Sequence, residues 1–139
     1  MVLRSLAALD AIIRRCWSEE SCDPVDLPGW SPDNPARGQC GVTALVVQDL
    51  LGGEVLVAEV HHADGSRQGV HYWNRLHGGI ELDLTREQFR DGETIGPATP
   101  VARPADLTGA RLQAQYETLA AAVQLALDGA APPAARRRP

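Results

Sequence analysis

The chain is 139 residues and 14.9 kDa, one domain's worth and long enough to bury a core. Its 44% hydrophobic and 22% charged residues are the balance of a soluble globular protein, not of a disordered one. Thirteen Arg and no Lys against eighteen acidic residues leave a net charge of −5, which argues against nucleic-acid binding.

The first 15 residues, MVLRSLAALDAIIRR, carry Arg4, Asp10, Arg14 and Arg15 and so lack the uninterrupted apolar centre of a signal peptide. No apolar run approaches the roughly 18 residues of a membrane span. A cytoplasmic protein with no membrane partner is expected. Residues 2–19 read as a helix, with Leu6, Leu9, Ile13, Cys16 and Trp17 at spacings of three and four on one stripe. The following stretch, DPVDLPGWSPDNPARG, holds four Pro and two Gly in 16 residues and reads as a loop, anchored on the body by Trp30.

At Cys40 the character changes. CGVTALVVQDLLGG is almost wholly apolar and ends on Gly52-Gly53, which predicts a buried central helix with a glycine stop. EVLVAEVHH, VHYWNRL and IELDLT then read as three strands of an antiparallel meander, joined by the turns ADGSRQG and HGG. Thr85 is placed to cap a short helix, TREQF, with Glu87 and Gln88 completing the cap. The segment GPATPVARP reads as a proline-rich connector. A last helix is expected from Leu107 to Leu127, striped by Leu112, Tyr116, Leu119, Val123 and Leu127. One domain over residues 1–128 and a flexible tail over 129–139, holding Arg136-Arg137-Arg138, complete the organisation.

Three cysteines without an export signal imply no disulfide framework. Cys40 stands apart because it opens a buried helix directly after a Gly-rich loop. Unpaired N–H groups and the positive end of the helix dipole favour a thiolate there, and the same groups suit an oxyanion. Such a thiolate needs a base, and the base needs an orienting group. His71 lies 31 residues downstream of Cys40, on the second strand, and Asp83 lies on the third. If the turn is residues 77–79, Trp73 faces Asp83 and His71 is its diagonal neighbour. If the turn is residues 76–78, His71 faces Asp83 directly. Both registers put His71 and Asp83 on one face of the hairpin. A catalytic triad of Cys40, His71 and Asp83 is expected.

Other chemistry-bearing residues have plainer readings. Cys16 and Cys22 lack metal-ligand spacing and read as core or loop thiols. His61 and His62 point to opposite strand faces and read as surface residues, so no metal site and no cofactor are expected. Gln39, Gly41, Trp73 and Trp30 are the expected substrate-binding residues. Trp73 shares the face of His71, and Gly41 permits close approach to the thiol.

A helix-first Cys followed by His and Asp on adjacent antiparallel strands resembles the core of papain-like and transglutaminase-like thiol enzymes. The phrases WSPDNPARGQCGVTALVVQDLLGGEV and HYWNRLHGGIELDLTREQF resemble the YunG-like family of small bacterial proteins, a likeness running from the first helix to Phe89. By position, Cys40 matches the Cys of the GQC phrase, His71 the His of HYWN and Asp83 the Asp of DLT. Papain-like proteases carry their oxyanion Gln several residues before the Cys, whereas Gln39 is adjacent, so backbone N–H groups are the expected oxyanion donors. The resemblance implies an α+β fold with a papain-like or transglutaminase-like core. A central helix starting at the Cys packs on an antiparallel meander, with N- and C-terminal helices around it. The expected function is cysteine-dependent acyl transfer on a small-molecule or carrier-bound acyl substrate, by hydrolysis or aminolysis. The rival is a binding or accessory module that retains the fold without turnover.

Overall fold

The computed structural model describes residues 5–89, 91–102 and 112–129. Helix α1 (Leu6–Cys16) starts where the Ser5 side chain accepts from Ala8 N–H, which satisfies one of the free donors of the first turn. Its apolar stripe buries Leu9, Ile12, Ile13 and Cys16, while Leu6 stays exposed at its start. The expected continuation to residue 19 is instead a break at Trp17 and a 3₁₀ turn over Glu19–Ser21. Ser18 and Ser21 hold this turn with a reciprocal capping box.

Helix α2 (Cys40–Leu51) is the centre of the molecule, with residues Gly41 through Val47 all buried. It ends as the glycines require. Gly52 and Gly53 adopt φ of 73° and 80°, and a side chain on Gly53 would meet Arg75 O at 2.4 Å. The Trp17 indole N–H donates to Thr43 Oγ1 at 2.9 Å and ties the end of α1 to α2. Helix α3 (Gln113–Leu127) closes the layer with Leu119, Val123 and Leu127, which join Leu9, Ile13, Val42 and Val46 in the main apolar cluster. The expected start of this helix at Leu107 lies outside the described residues, as do residues 130–139 of the expected tail.

Strands β1 (Glu54–His61), β2 (Arg67–Arg75) and β3 (Glu81–Leu82) form the expected antiparallel meander. Leu76 N–H donates to Ile80 O at 2.7 Å and Asn74 pairs with Leu82, so the tight turn is residues 77–79. Two further short strands, β4 (Thr94–Ile95) and β5 (Thr99–Val101), pair with the other edge of β1. The proline-rich segment was expected to be a connector only. Pro100 sits on an outer strand, where its missing N–H costs no ladder bond, so it is compatible with pairing. The described sheet thus has five strands, with β2 and β1 at its middle.

The side chains of β2 alternate between two environments. Tyr72 packs beside Ala44, Leu45 and Val55, and the Asn74 amide donates to Ala44 O at 2.9 Å, a buried polar link from sheet to helix. Trp73 instead joins Leu56 and Ala58, and His71 stacks beside it. Among the described residues the architecture is α+β, three α-helices packed with an antiparallel sheet.

Candidate active site

Cys40 is positioned by the loop that precedes it, and that loop is held by buried hydrogen bonds. The Cys22 thiol donates to Arg37 O (3.2 Å) and Asp23 O (3.3 Å). Burial, reinforced by the carboxylates of Asp26 and Asp23, pushes its pKa up to about 12, so it stays a neutral donor. Asp23 N–H donates to Gly38 O at 2.9 Å. Gly38 has φ of 72°, and a Cβ there would lie 2.6 Å from Cys22 Sγ and 2.8 Å from Asp26 Cβ. Only glycine meets both conditions. Arg37 pairs with Asp26 at 3.0 Å, and the Trp30 indole N–H donates to Pro35 O at 3.0 Å.

Gln39 completes this brace. Its side chain is fully buried, Oε1 accepting from Ser21 Oγ (2.7 Å) and Nε2 donating to Ser18 O (3.0 Å). The expectation that it binds substrate is corrected by this geometry: its amide is engaged on the 3₁₀ turn behind α2. The chain then turns into α2 at Cys40, which is partly exposed, while Thr43 N–H donates to Gln39 O at 3.0 Å. First-turn N–H groups of a helix have no intrahelical acceptor, so α2 offers such donors beside the thiol.

His71 is 1% exposed. Its Nε2 lies 2.7 Å from Asp83 Oδ2, and the parallel Trp73 Nε1–Glu81 Oε1 bond is also 2.7 Å. These two diagonal contacts are what the 77–79 turn demands, with Asp83 standing one residue beyond β3. Cys40 lies within hydrogen-bonding reach of the same ring. Burial alone would lower the His71 pKa, but hydrogen bonds to Asp83 and Cys40, with the charges of both, outweigh it and raise the value to about 9. Trp73 stacks beside the imidazole (centroids 5.4 Å apart) and Phe89 meets it edge-on at 4.6 Å.

A cavity of about 270 Å³ opens onto Cys40, Gly41, His71, Gln88 and Phe89. One wall comes from the loop, with Val25, Asp26 and Arg37, and the other from the start of β2, with Arg67 and Val70. Of the expected substrate-binding residues, Gly41 lines this cavity. Trp73 is placed beside His71, bonded to Glu81, and Trp30 pins the loop to itself.

Two residues at the ring were not read as site residues from the sequence. Gln88 Nε2 lies 3.3 Å from His71 Nδ1 and 3.2 Å from Thr85 Oγ1, and Phe89 follows it. The TREQ phrase had suggested a helix cap, but Thr85 makes no side-chain cap bond to the 3₁₀ turn Arg86–Gln88. Its hydroxyl serves the Asp83–Gln88 network instead. The available signal was a buried-type Phe following a polar TREQ run just after the candidate acid.

His61 and His62 lie beside Glu59 (3.6 Å) and Glu93 (3.8 Å), away from the cavity. Among the described residues no group of three His, Cys, Asp or Glu side chains is placed to hold a metal ion, and no helix is long and apolar enough to cross a membrane.

A sequence model for the family described as "YunG protein" matches residues 5–128. The chain is also 35% identical over 79 residues to a Bacillus subtilis (strain 168) protein named "Uncharacterized protein YunG". That match covers 57% of this chain and 58% of the relative, less than two thirds of its length. No solved structure matches the chain.

Proposed function

The chain belongs to the YunG family, and we propose that it acts as a cysteine-dependent acyl-transfer enzyme with Cys40, His71 and Asp83 as its triad. The observation that carries the reading is a single buried imidazole, His71, held by Asp83 at 2.7 Å and reached by Cys40 where both line one cavity. The likeness to papain-like and transglutaminase-like cores belongs to this proposal. It is supported by the order of a thiol at a helix start, a base on a central strand and an acid after the next strand.

In this reading the proton of Cys40 passes to His71 and the thiolate attacks the carbonyl carbon of an amide, ester or thioester. The oxyanion is met by N–H groups of the first turn of α2. Collapse expels the leaving group, which takes its proton from His71, and leaves an acyl thioester on Cys40. Water or an amine then attacks, His71 accepts its proton, and the released thiolate closes the cycle. Asp83 keeps the ring oriented throughout. The substrate is a small or carrier-bound acyl compound handled in the cytoplasm, without nucleic acid or membrane, and the small cavity supports that choice.

The test is the rate of iodoacetamide labelling of each cysteine against pH, resolved by peptide mass, in wild type and His71→Ala. Cys40 is expected to react well below the ordinary thiol pKa of about 8.5, and to lose that reactivity without His71. Cys16 and Cys22, both buried, are internal references. A Cys40 that labels no faster than these, or only on unfolding, would make the chain a binding module that kept the fold without turnover.

A further inference from the structure

We propose that Gln88 is a positioning residue of this site: its amide holds the Nδ1 side of His71 and thereby selects the ring tautomer that can accept the proton of Cys40. The inference rests on the acyl-transfer reading above. A neutral imidazole has one donor and one acceptor nitrogen, and its neighbours decide which is which. The Asp83 carboxylate at Nε2 (2.7 Å) calls for a proton there. The Gln88 amide nitrogen at Nδ1 (3.3 Å) calls for a lone pair there. The reverse tautomer would set an N–H against an amide donor and a lone pair against a carboxylate. Asp83 and Gln88 therefore grip the ring from its two ends in one sense, and it is the sense a base facing Cys40 requires.

The grip is built from one short stretch of chain. Gln88 is buried, and its amide also donates to Thr85 Oγ1 (3.2 Å), whose hydroxyl makes a long contact of 3.5 Å to Asp83 Oδ1. Residues 83–88 thus link the acid and the amide through a buried hydroxyl. Arg14 of α1 makes a two-pronged ion pair with the adjacent Glu87, which fixes the turn from outside.

A donor at Nδ1 favours the neutral ring over the imidazolium, so Gln88 opposes early ionisation of Cys40. The charged groups facing the ring are Asp83, from the segment after β3, and Cys40, from α2. Asp23, Asp26 and Arg37 of the loop and Arg67 of β2 share the cavity. Replacing Gln88 alters none of them.

The experiment combines the pH profile of Cys40 labelling with ¹⁵N NMR of the His71 ring in wild type, Gln88→Leu and Gln88→Glu. Gln88→Leu removes the donor, and the onset of labelling should move down by about 0.5–1 pH unit, the worth of one hydrogen bond. Gln88→Glu replaces the donor by a carboxylate, an acceptor that calls for a proton at Nδ1, so the Nδ1-protonated form should gain more there than in Gln88→Leu. In the neutral ring the wild type should show the Nε2-protonated form alone, with the Nδ1-protonated form gaining population in Gln88→Leu. An onset in Gln88→Leu that stays put or moves up, or an unchanged tautomer in either variant, would overturn the proposal. Low-pH labelling absent from wild type itself would instead overturn the acyl-transfer reading. The NMR comparison would still decide the role of Gln88.

Discussion

Two buried polar networks flank Cys40, and they differ in one respect that matters. Behind the thiol, Gln39, Ser18, Ser21 and Cys22 form a network of neutral groups whose side-chain bonds end on other protein atoms within the brace. In front of it, His71, Asp83, Thr85 and Gln88 form a network built around an ionisable ring, with Gln88 and His71 opening on the cavity. A network of neutral donors and acceptors has one arrangement and holds geometry. A network around a titratable ring has at least two, and it can move a proton. Burial alone distinguishes nothing here, since Gln39 and His71 are both almost fully enclosed.

The largest effect should come from the atom between the two networks. Cys40→Ser is nearly isosteric, so thermal stability should hold while turnover on any acyl donor accepted by wild type disappears. A variant that kept full activity would remove Cys40 from the mechanism. Asp83→Asn comes next. It takes the carboxylate from His71, lowers the ring's pKa and should slow Cys40 labelling at pH 6–7 by about 10–100-fold, less than the loss of the thiol itself. An unchanged rate would reduce the triad to a Cys–His dyad.

The same charge sets a pH dependence of stability. The folded His71 pKa, raised to about 9, exceeds the ordinary 6.5. Its contribution is therefore fully present below about pH 6.5 and is lost as pH rises towards 9. The melting temperature of wild type should fall across that window by more than that of His71→Ala. Parallel curves would show that the ring titrates alike in folded and unfolded chains.

The front network was the more legible one in the sequence. His71 and Asp83 occupy a hairpin whose alternation survives either turn register, so a period of two was enough to pair them. Gln39 was misplaced because adjacency to Cys40 along the chain says nothing of direction. A residue just before a helix can project behind it, and the partner that captures it, Ser21, lies 18 positions away. Strands β4 and β5 are two and three residues long, too short to show alternation, and their pairing depends on the edge that β1 leaves open. Gln88 was hidden for a third reason. A TREQ phrase satisfies a local capping pattern, and only the tertiary contact of Gln88 with His71 diverts Gln88 and Thr85 from it.

The smallest expected effects sharpen the contrast on the rear side. Gly38→Ala forces a side chain into a left-handed backbone and towards Cys22 Sγ at 2.6 Å, and should cost about 2–4 kcal/mol by denaturant melt. Gln39→Leu removes the Oε1 acceptor of the Ser21 hydroxyl and the Nε2 donor to Ser18 O, while Ser21 N–H and Oγ still reach Ser18 O, so the loss should be about 0.5–1.5 kcal/mol. If the rear network only holds geometry, this loss must appear as stability alone: the midpoint of the Cys40 labelling profile should stay at the wild-type pH under conditions where the variant is folded. A midpoint that moved with Gln39→Leu as far as with Gln88→Leu would mean that the brace tunes the thiol, and the division between a holding network and a proton-moving one would fail at the residue next to the nucleophile.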